Sequence, residues 1–159
     1  MLATHYLENY QDNGVNPPLD SVGSNSSNGP PDWIYRATLA YSNDPFTLTL
    51  TGRGFSSGTY LNNYIECRSG CPASSADFPT INDNSLPGAF YLDASFSYRL
   101  ARSNLDWEIF FSVQNLANRD PAPVAQGPAG VSFATTPTNP ILYDTLGRMF
   151  RVGVRMQWR

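Results

Sequence analysis

The sequence has 159 residues, of which 41% are hydrophobic and 14% charged, well below the charged quarter of a typical soluble domain. All 10 basic residues are arginines, they are scattered along the chain, and the net charge is −3, which argues against a nucleic-acid-binding protein with a basic stripe. No run of about 18 apolar residues is present, so the sequence predicts no transmembrane helix. Thirteen prolines and 12 glycines indicate short strands separated by turns.

Five segments alternate apolar and polar residues, which is the period of a strand with one apolar and one polar face. They are residues 33–42, 46–60, 91–100, 107–116 and 148–159. Residues 2–10 form a weaker sixth candidate. Phe110 is the exception in the fourth segment, since it falls among the polar positions. The sequence therefore predicts an all-β chain of five or six strands.

The connections between these segments alternate in length. Residues 43–45 and 101–106 are short turns, whereas 11–32, 61–89 and 117–147 are long and rich in Pro, Gly, Ser and Asn. Long structureless loops are uncommon in a compact soluble domain. A transmembrane β-barrel has long loops on one side and short turns on the other. The alternation of long and short connections along the chain therefore favours an antiparallel barrel.

The strand lengths support the same interpretation. A barrel strand crosses a bilayer in about 9–11 residues. Trp33 and Tyr41 end one apolar face, and Phe150 and Trp158 end another at the same spacing, which spans roughly 26 Å along a strand. Aromatic girdles border an apolar band about 25 Å tall in such barrels. The alternative is a soluble, secreted β-sandwich binding module, for example a glycan-binding one, with these aromatics in its core.

Two motifs lie near the C-terminus, VQNLANRDP at residues 113–121 and YDTLGRMFRVG at residues 143–153. They resemble the last strands of TonB-dependent outer-membrane receptors. Residues 113–121 match the family pattern V-x-N-L-x-N/D-R-D-P. The family pattern Y-D-x-x-G-R-x-F/Y-x-x-G is matched by Tyr143, Asp144, Gly147, Arg148, Phe150 and Gly153. The stretch YIECRSGCP also looks like a disulfide-bearing loop of some of these receptors.

The resemblance implies a 22-stranded barrel plugged by an N-terminal domain. Such receptors import scarce, bulky nutrients (ferric siderophores, haem, cobalamin or oligosaccharides) across the outer membrane of Gram-negative bacteria, driven by the TonB complex. The sequence shows no TonB box, plug domain or signal peptide, so we expect residues 1–159 to be the C-terminal part of the barrel domain. TonB would then act only through a missing N-terminal region.

The C-terminal strand of such a barrel ends in the periplasm. This direction makes the turns 43–45 and 101–106 periplasmic and the three long loops extracellular. Cys67 and Cys71 then lie in an extracellular loop, where they form either a small disulfide-closed ring or two free thiols.

The polar positions of the strands are candidates for the lumen-facing wall. They are Arg36, Thr49, Arg53, Asp93, Ser95, Arg99, Glu108, Gln114, Arg151 and Arg155. Some could line the transport pathway or hold the plug, or these groups only satisfy one another.

The apolar positions of the last strand are expected to face outer-membrane lipid. Phe150, Val152, Val154, Met156 and Trp158 also resemble the terminal signal that the barrel-assembly machinery reads. In this family the chain usually ends on the aromatic residue itself, whereas Arg159 follows it here.

Catalytic motifs are absent, so we expect neither an enzyme nor a cofactor or metal site. His5 is the only histidine and has no motif around it. Tyr10, Tyr60, Tyr64 and Phe133 in or near the loops are weak candidates for stacking on a sugar or an aromatic chelator, and residues 25–27 form a glycosylation sequon. The ligand itself cannot be read from the sequence.

Overall fold

The computed structural model describes residues 1–15, 18–26, 29–102, 105–124 and 138–158, without the side chains of 101 and 102. These residues form only strands, turns and irregular segments. None of the described segments forms a helix with the length and apolarity needed to span a membrane. The strands are β1 (Leu2–His5), β2 (Tyr10–Gln11), β3 (Leu19–Asp20), β4 (Trp33–Asn43), β5 (Phe46–Phe55), β6 (Gly58–Thr59), β7 (Ile65–Glu66), β8 (Thr80–Ile81), β9 (Ser85–Leu86), β10 (Ala89–Arg102), β11 (Leu105–Gln114) and β12 (Met149–Trp158).

Six of these strands form one antiparallel sheet in the order β1-β4-β5-β10-β11-β12. The predicted all-β, antiparallel architecture is confirmed at this level. The four segments predicted at 33–42, 91–100, 107–116 and 148–159 match β4, β10, β11 and β12 to within a few residues. Among these six strands, each one pairs with the next of the six along the chain, as is usual for successive strands of a sheet.

Two predicted strands are shorter in the structure. The second was predicted to run to residue 60, but β5 ends at Phe55, and the chain then pairs as β6 with β9 instead. At Gly58 an added Cβ would lie 2.2 Å from the carbonyl oxygen of Gly23, so the chain here packs against another loop and leaves the sheet. The weak candidate 2–10 is a strand only in β1, because Tyr10 starts a separate pairing with β3.

The register gives the sheet two chemically distinct faces, because directly paired residues point to the same side. One row of paired positions is Leu39, Leu50, Ala94, Val113 and Phe150, and the next is Ala40, Thr49, Ser95, Ser112 and Arg151. We call the side of the first row the apolar face and the side of the second row the polar face.

Strand glycines make room for aromatic rings that lie across the sheet. An added Cβ on Gly153 would lie 2.4 Å from the ring of Phe110, and one on Gly52 would lie 2.9 Å from the ring of Phe90. Phe110 is paired with Gly153 on the polar face. The aromatic exception in the alternation therefore covers a glycine on the neighbouring strand, which shields exposed backbone.

The loops are gathered at one end of the sheet, which we call the loop end; the opposite end is the turn end. At the loop end a small core lies on the polar side, because Phe55, Ala89 and Tyr91 belong to the polar face by register. They pack with Leu86, Val124 and Tyr143. Two of the three long connections contain regular structure, because their described parts form three two-stranded ladders. These ladders hold the loops close to the sheet.

Candidate functional site

The apolar face is open to its surroundings in the described part of the chain. Leu39, Val152 and Trp158 are 68%, 74% and 78% exposed. Other large apolar residues that are exposed on this face are Trp33, Tyr41, Leu48, Phe90, Phe96, Leu100, Trp107, Ile109, Phe111, Phe150, Val154 and Met156. No second layer of described residues covers them. Monomeric soluble proteins rarely leave an apolar surface of this extent uncovered.

Aromatic residues border this face at both ends. Trp33 and Phe150 lie at the loop end. The ring of Phe150 stacks on that of Phe111, with ring centroids 6.2 Å apart. At the turn end lie Tyr41 and Trp158. The face is thus an apolar band with an aromatic residue at each border of β4 and β12, as the sequence predicts.

His5 is part of the aromatic border at the loop end. Its imidazole stacks on the indole of Trp33, with ring centroids 4.3 Å apart and planes 5° from parallel. The sequence pattern gave His5 no role. The register of β1 against β4 supplies one, because it places the two rings directly opposite each other.

The middle of the polar face is lined by small hydroxyl side chains. Thr38 and Thr51 share a hydrogen bond of 3.3 Å between their hydroxyl oxygens, and Ser42 and Thr47 share one of 3.2 Å. Thr49 and Ser95, two of the predicted lumen-facing residues, are directly paired there. Gln114 lies at the end of β11, next to Met149 of β12.

Arg53 joins the sheet to a loop near the loop end of this face. Its Nε lies 3.1 Å from Asp93 Oδ2, and its Nη2 lies 3.1 Å from Asp144 Oδ2. The guanidinium also lies over the ring of Tyr91, 4.6 Å from the centroid. The hydroxyl of Tyr91 accepts the backbone N–H of Asp144 at 3.0 Å, and Asp93 Oδ1 accepts the backbone N–H of Asn115 at 2.9 Å. Two carboxylates and an aromatic ring therefore hold the guanidinium of one arginine.

A second ion-pair group lies at the turn end. Glu108 accepts a hydrogen bond from Arg155 Nη1 at 2.7 Å, and its other oxygen lies 3.9 Å from Arg99 Nε. This group lines an open depression of about 790 Å³. Among the described residues, Arg36 and Arg151 make no ion pair. The structure therefore brings five of the seven predicted charged lumen-facing residues into two separate groups.

The two motifs quoted above meet in space. Asn115 is fully buried, and its side chain accepts the backbone N–H of Arg119 at 2.8 Å and donates to the carbonyl of Arg119 at 3.0 Å. Asn118 Oδ1 accepts the backbone N–H of Arg148 at 3.0 Å. Both asparagines have φ of 51°, a region that Asn tolerates better than most residues. The two motifs thus fix the ends of the loop that connects β11 to β12.

Tyr143 and Asp144 fasten the far end of the same loop. The ring of Tyr143 meets Phe55 edge-on, with centroids 5.1 Å apart, and its hydroxyl donates to the carbonyl of Pro87. Burial raises the pKa of Tyr143, and the neighbouring Tyr91 adds to this. The hydroxyl therefore stays protonated and keeps its donor role at physiological pH. The sequence motif marked these residues without indicating this contact.

Cys67 and Cys71 are joined in a disulfide, with Cα atoms 5.6 Å apart. The ring is an exposed tip between β7 and β8, which pair in parallel. Arg68 inside the ring donates to the carbonyl of Asn82 at 3.4 Å. Of the two alternatives left open by the spacing, the structure has the closed ring.

Two of the loop aromatics lie together. Tyr60 and Tyr64 lie together with ring centroids 5.3 Å apart, and burial, followed by the proximity of Tyr60, raises the pKa of Tyr64. Tyr10 is exposed at the start of β2. Phe133 lies outside the described residues.

The glycosylation sequon is not accessible. Asn25 is fully buried, and its side-chain amide donates to the carbonyl of Ser56 at 3.0 Å. Its backbone carbonyl accepts a hydrogen bond from Asn139 at 3.0 Å. Asn25 therefore connects three loop segments.

Comparisons of the chain with protein-family models, with curated proteins and with solved structures found no match.

Proposed function

We propose that this chain is part of the β-barrel of a TonB-dependent outer-membrane receptor. Such a receptor takes up a scarce, bulky nutrient (a ferric siderophore, haem, cobalamin or an oligosaccharide) into a Gram-negative cell. The observation that carries the proposal is the exposed apolar face, which extends over five long strands and is bordered by aromatic residues.

Lipid is the occupant that fits this face best. Fully burying a Leu, Val or Phe side chain stabilises by about 1.5–3 kcal/mol, so a face of this size is costly in water and favourable in a bilayer. The strands β4, β5, β11 and β12 have 11, 10, 10 and 10 residues, which suits a membrane crossing of about 9–11 residues.

The polar face suits the wall of a wet lumen. It carries hydroxyl groups and ion pairs that would be costly against lipid but not against water. The outer strands of the described sheet, β1 and β12, each have one unpaired edge. Because an open edge in lipid leaves backbone groups without partners, these edges would pair with further strands to close the barrel.

The remaining features take consistent places in such a receptor. The loops and the Cys67–Cys71 ring would lie outside the cell, where a disulfide formed during export persists. The strand β12 would carry the signal for the barrel-assembly machinery. The TonB complex would act on the plug domain of such a receptor.

Cell fractionation tests the membrane assignment. The complete gene product, expressed in a Gram-negative host, should be recovered in the outer-membrane fraction and should migrate differently on gels before and after heating. Recovery as a stable monomer in the aqueous fraction would reject the proposal in favour of a secreted β-sandwich binding module.

Uptake tests the receptor assignment. Deleting the gene should lower uptake of one of the four nutrient classes, and inactivating the TonB complex should lower it to the same extent. Uptake that is unchanged for all four classes in the deletion strain would contradict the receptor role even for an outer-membrane protein.

A further inference from the structure

Two arginines lie directly opposite each other on the polar face. Arg36 of β4 and Arg53 of β5 are partners in the strand register. Directly opposite residues have Cβ atoms about 4.5–5.5 Å apart, and like charges at such positions destabilise a sheet. An arrangement that breaks a local rule is a candidate for a functional role.

The two arginines differ in what compensates their charge. Arg53 is bonded to Asp93 and Asp144, each at 3.1 Å. Arg36 is exposed and forms no ion pair with any residue that the structure describes. Arg36 is therefore the member of this pair that has no carboxylate partner among the described residues.

A depression of about 180 Å³ lies next to Arg36 on the polar face. Its other polar lining groups belong to Thr49, Thr51, Asp93, Ser95, Ser112 and Gln114. The hydroxyl and amide groups can donate hydrogen bonds. Both oxygens of Asp93 are already engaged, one by Arg53 and the other by the backbone N–H of Asn115. The depression therefore presents one arginine without an ion pair, several neutral donors, and one carboxylate whose oxygens are both engaged by other groups.

We infer that this depression binds an anionic group, a carboxylate or a phosphate, of the ligand. The guanidinium fork of Arg36 would hold two oxygens of the anion in charge-assisted hydrogen bonds. The hydroxyls of Thr49 and Ser95 would donate to the others. The inference rests on the proposed function and narrows it, because it selects an anionic ligand over a neutral one.

Arg151 provides a matched control. It is also an exposed arginine on the polar face without an ion pair among the described residues, but it does not line the depression. A general attraction of anions to the wall would depend on both arginines equally. A binding site at the depression depends on Arg36.

Titration calorimetry on the complete gene product in detergent tests the inference. The probes are citrate, inorganic phosphate and neutral glucose. We expect citrate or phosphate to bind and glucose not to, with the stronger of the two anions identifying the group. Losing a charged hydrogen bond lowers affinity by about tenfold or more, so Arg36→Gln should weaken binding by about that factor, whereas Arg151→Gln should change it less than twofold.

Equal losses in the two variants, or an absence of anion binding to the folded protein, would overturn the inference. If Arg36→Gln does not fold, Arg36→Lys and Thr49→Ala provide the same test. Both should weaken binding more than Arg151→Gln does, and unchanged affinity in both would overturn the inference. Failure of the proposed function is distinguishable, because it appears as recovery in the aqueous fraction, whereas failure of the inference appears in a protein that fractionates with the outer membrane.

Discussion

Replacing Val152 by arginine separates a lipid-facing surface from a water-facing one. Val152 lies near the middle of β12 on the apolar face and is 74% exposed. In water, such a surface substitution changes stability by about 0.5 kcal/mol or less. On the lipid face of a barrel, arginine near the midplane costs about 2–4 kcal/mol. Since about 1.4 kcal/mol is a factor of ten, the folding equilibrium should shift by roughly 30-fold to 1,000-fold.

The assay is guanidinium unfolding of the complete gene product in lipid vesicles, followed by tryptophan fluorescence. Ser95→Arg is the control, because Ser95 is an exposed residue on the polar face, in the row of paired positions next to that of Val152. We expect a large loss for Val152→Arg and a small change for Ser95→Arg. Losses that are equal, or a loss below about 0.5 kcal/mol for Val152→Arg, would refute the assignment of the two faces.

Three further predictions concern single positions. Gly153→Ala should destabilise by about 1–3 kcal/mol, because the new Cβ meets the ring of Phe110. Chemical unfolding should show a smaller loss when Gly153→Ala is made in a protein that already carries Phe110→Leu. Equal losses in the presence and absence of Phe110→Leu would contradict this packing. The carboxylate of Asp20 accepts the backbone N–H of Val22, among others, which lowers the pKa of Asp20. This contribution is present above about pH 4 and is lost as the pH falls through the lower pKa of the folded loop. The hydrogen-exchange protection factor of the Val22 amide, which is corrected for the intrinsic pH dependence of exchange, should therefore fall at acid pH in the wild type but not in Asp20→Asn. Trp158→Ala should reduce the amount of protein in the outer membrane, and an undiminished amount would count against the assembly signal.

Local patterns were sufficient for most of the sheet. The alternation in 33–42 and 91–100 predicted β4 and β10, because the side-chain period of a strand is visible in any single strand. The end of β5 was not predictable. The residues after Phe55 still read as strand, but their pairing partners are in β9, about thirty positions away.

The contacts of the polar face depended on information that a single strand does not contain. Arg53 and Asp93 were predicted as lumen-facing from their positions in the strands. The bond from Arg53 to Asp144, however, depends on the path of a loop that lies 91 positions further along the chain. Arg36 and Arg53 lie opposite each other only in the observed register of β4 and β5. A shift of one residue in that register would separate them. The motif around Tyr143 marked a special segment, while its packing on Phe55 follows only from the assembled fold.

A nitroxide scan along β12 tests the central claim most directly. Each residue from 149 to 158 except Gly153, where a new side chain would meet the ring of Phe110, is replaced by a spin-labelled cysteine in the complete gene product. Cys67 and Cys71 are changed to serine, and each variant is reconstituted in vesicles. The account predicts strong relaxation by oxygen, which concentrates in lipid, at Phe150, Val152, Val154, Met156 and Trp158. It predicts strong relaxation by a water-soluble nickel chelate at the positions between them. Equal access of the chelate to both sets, or equal protection of both, would contradict a membrane strand with one face in lipid.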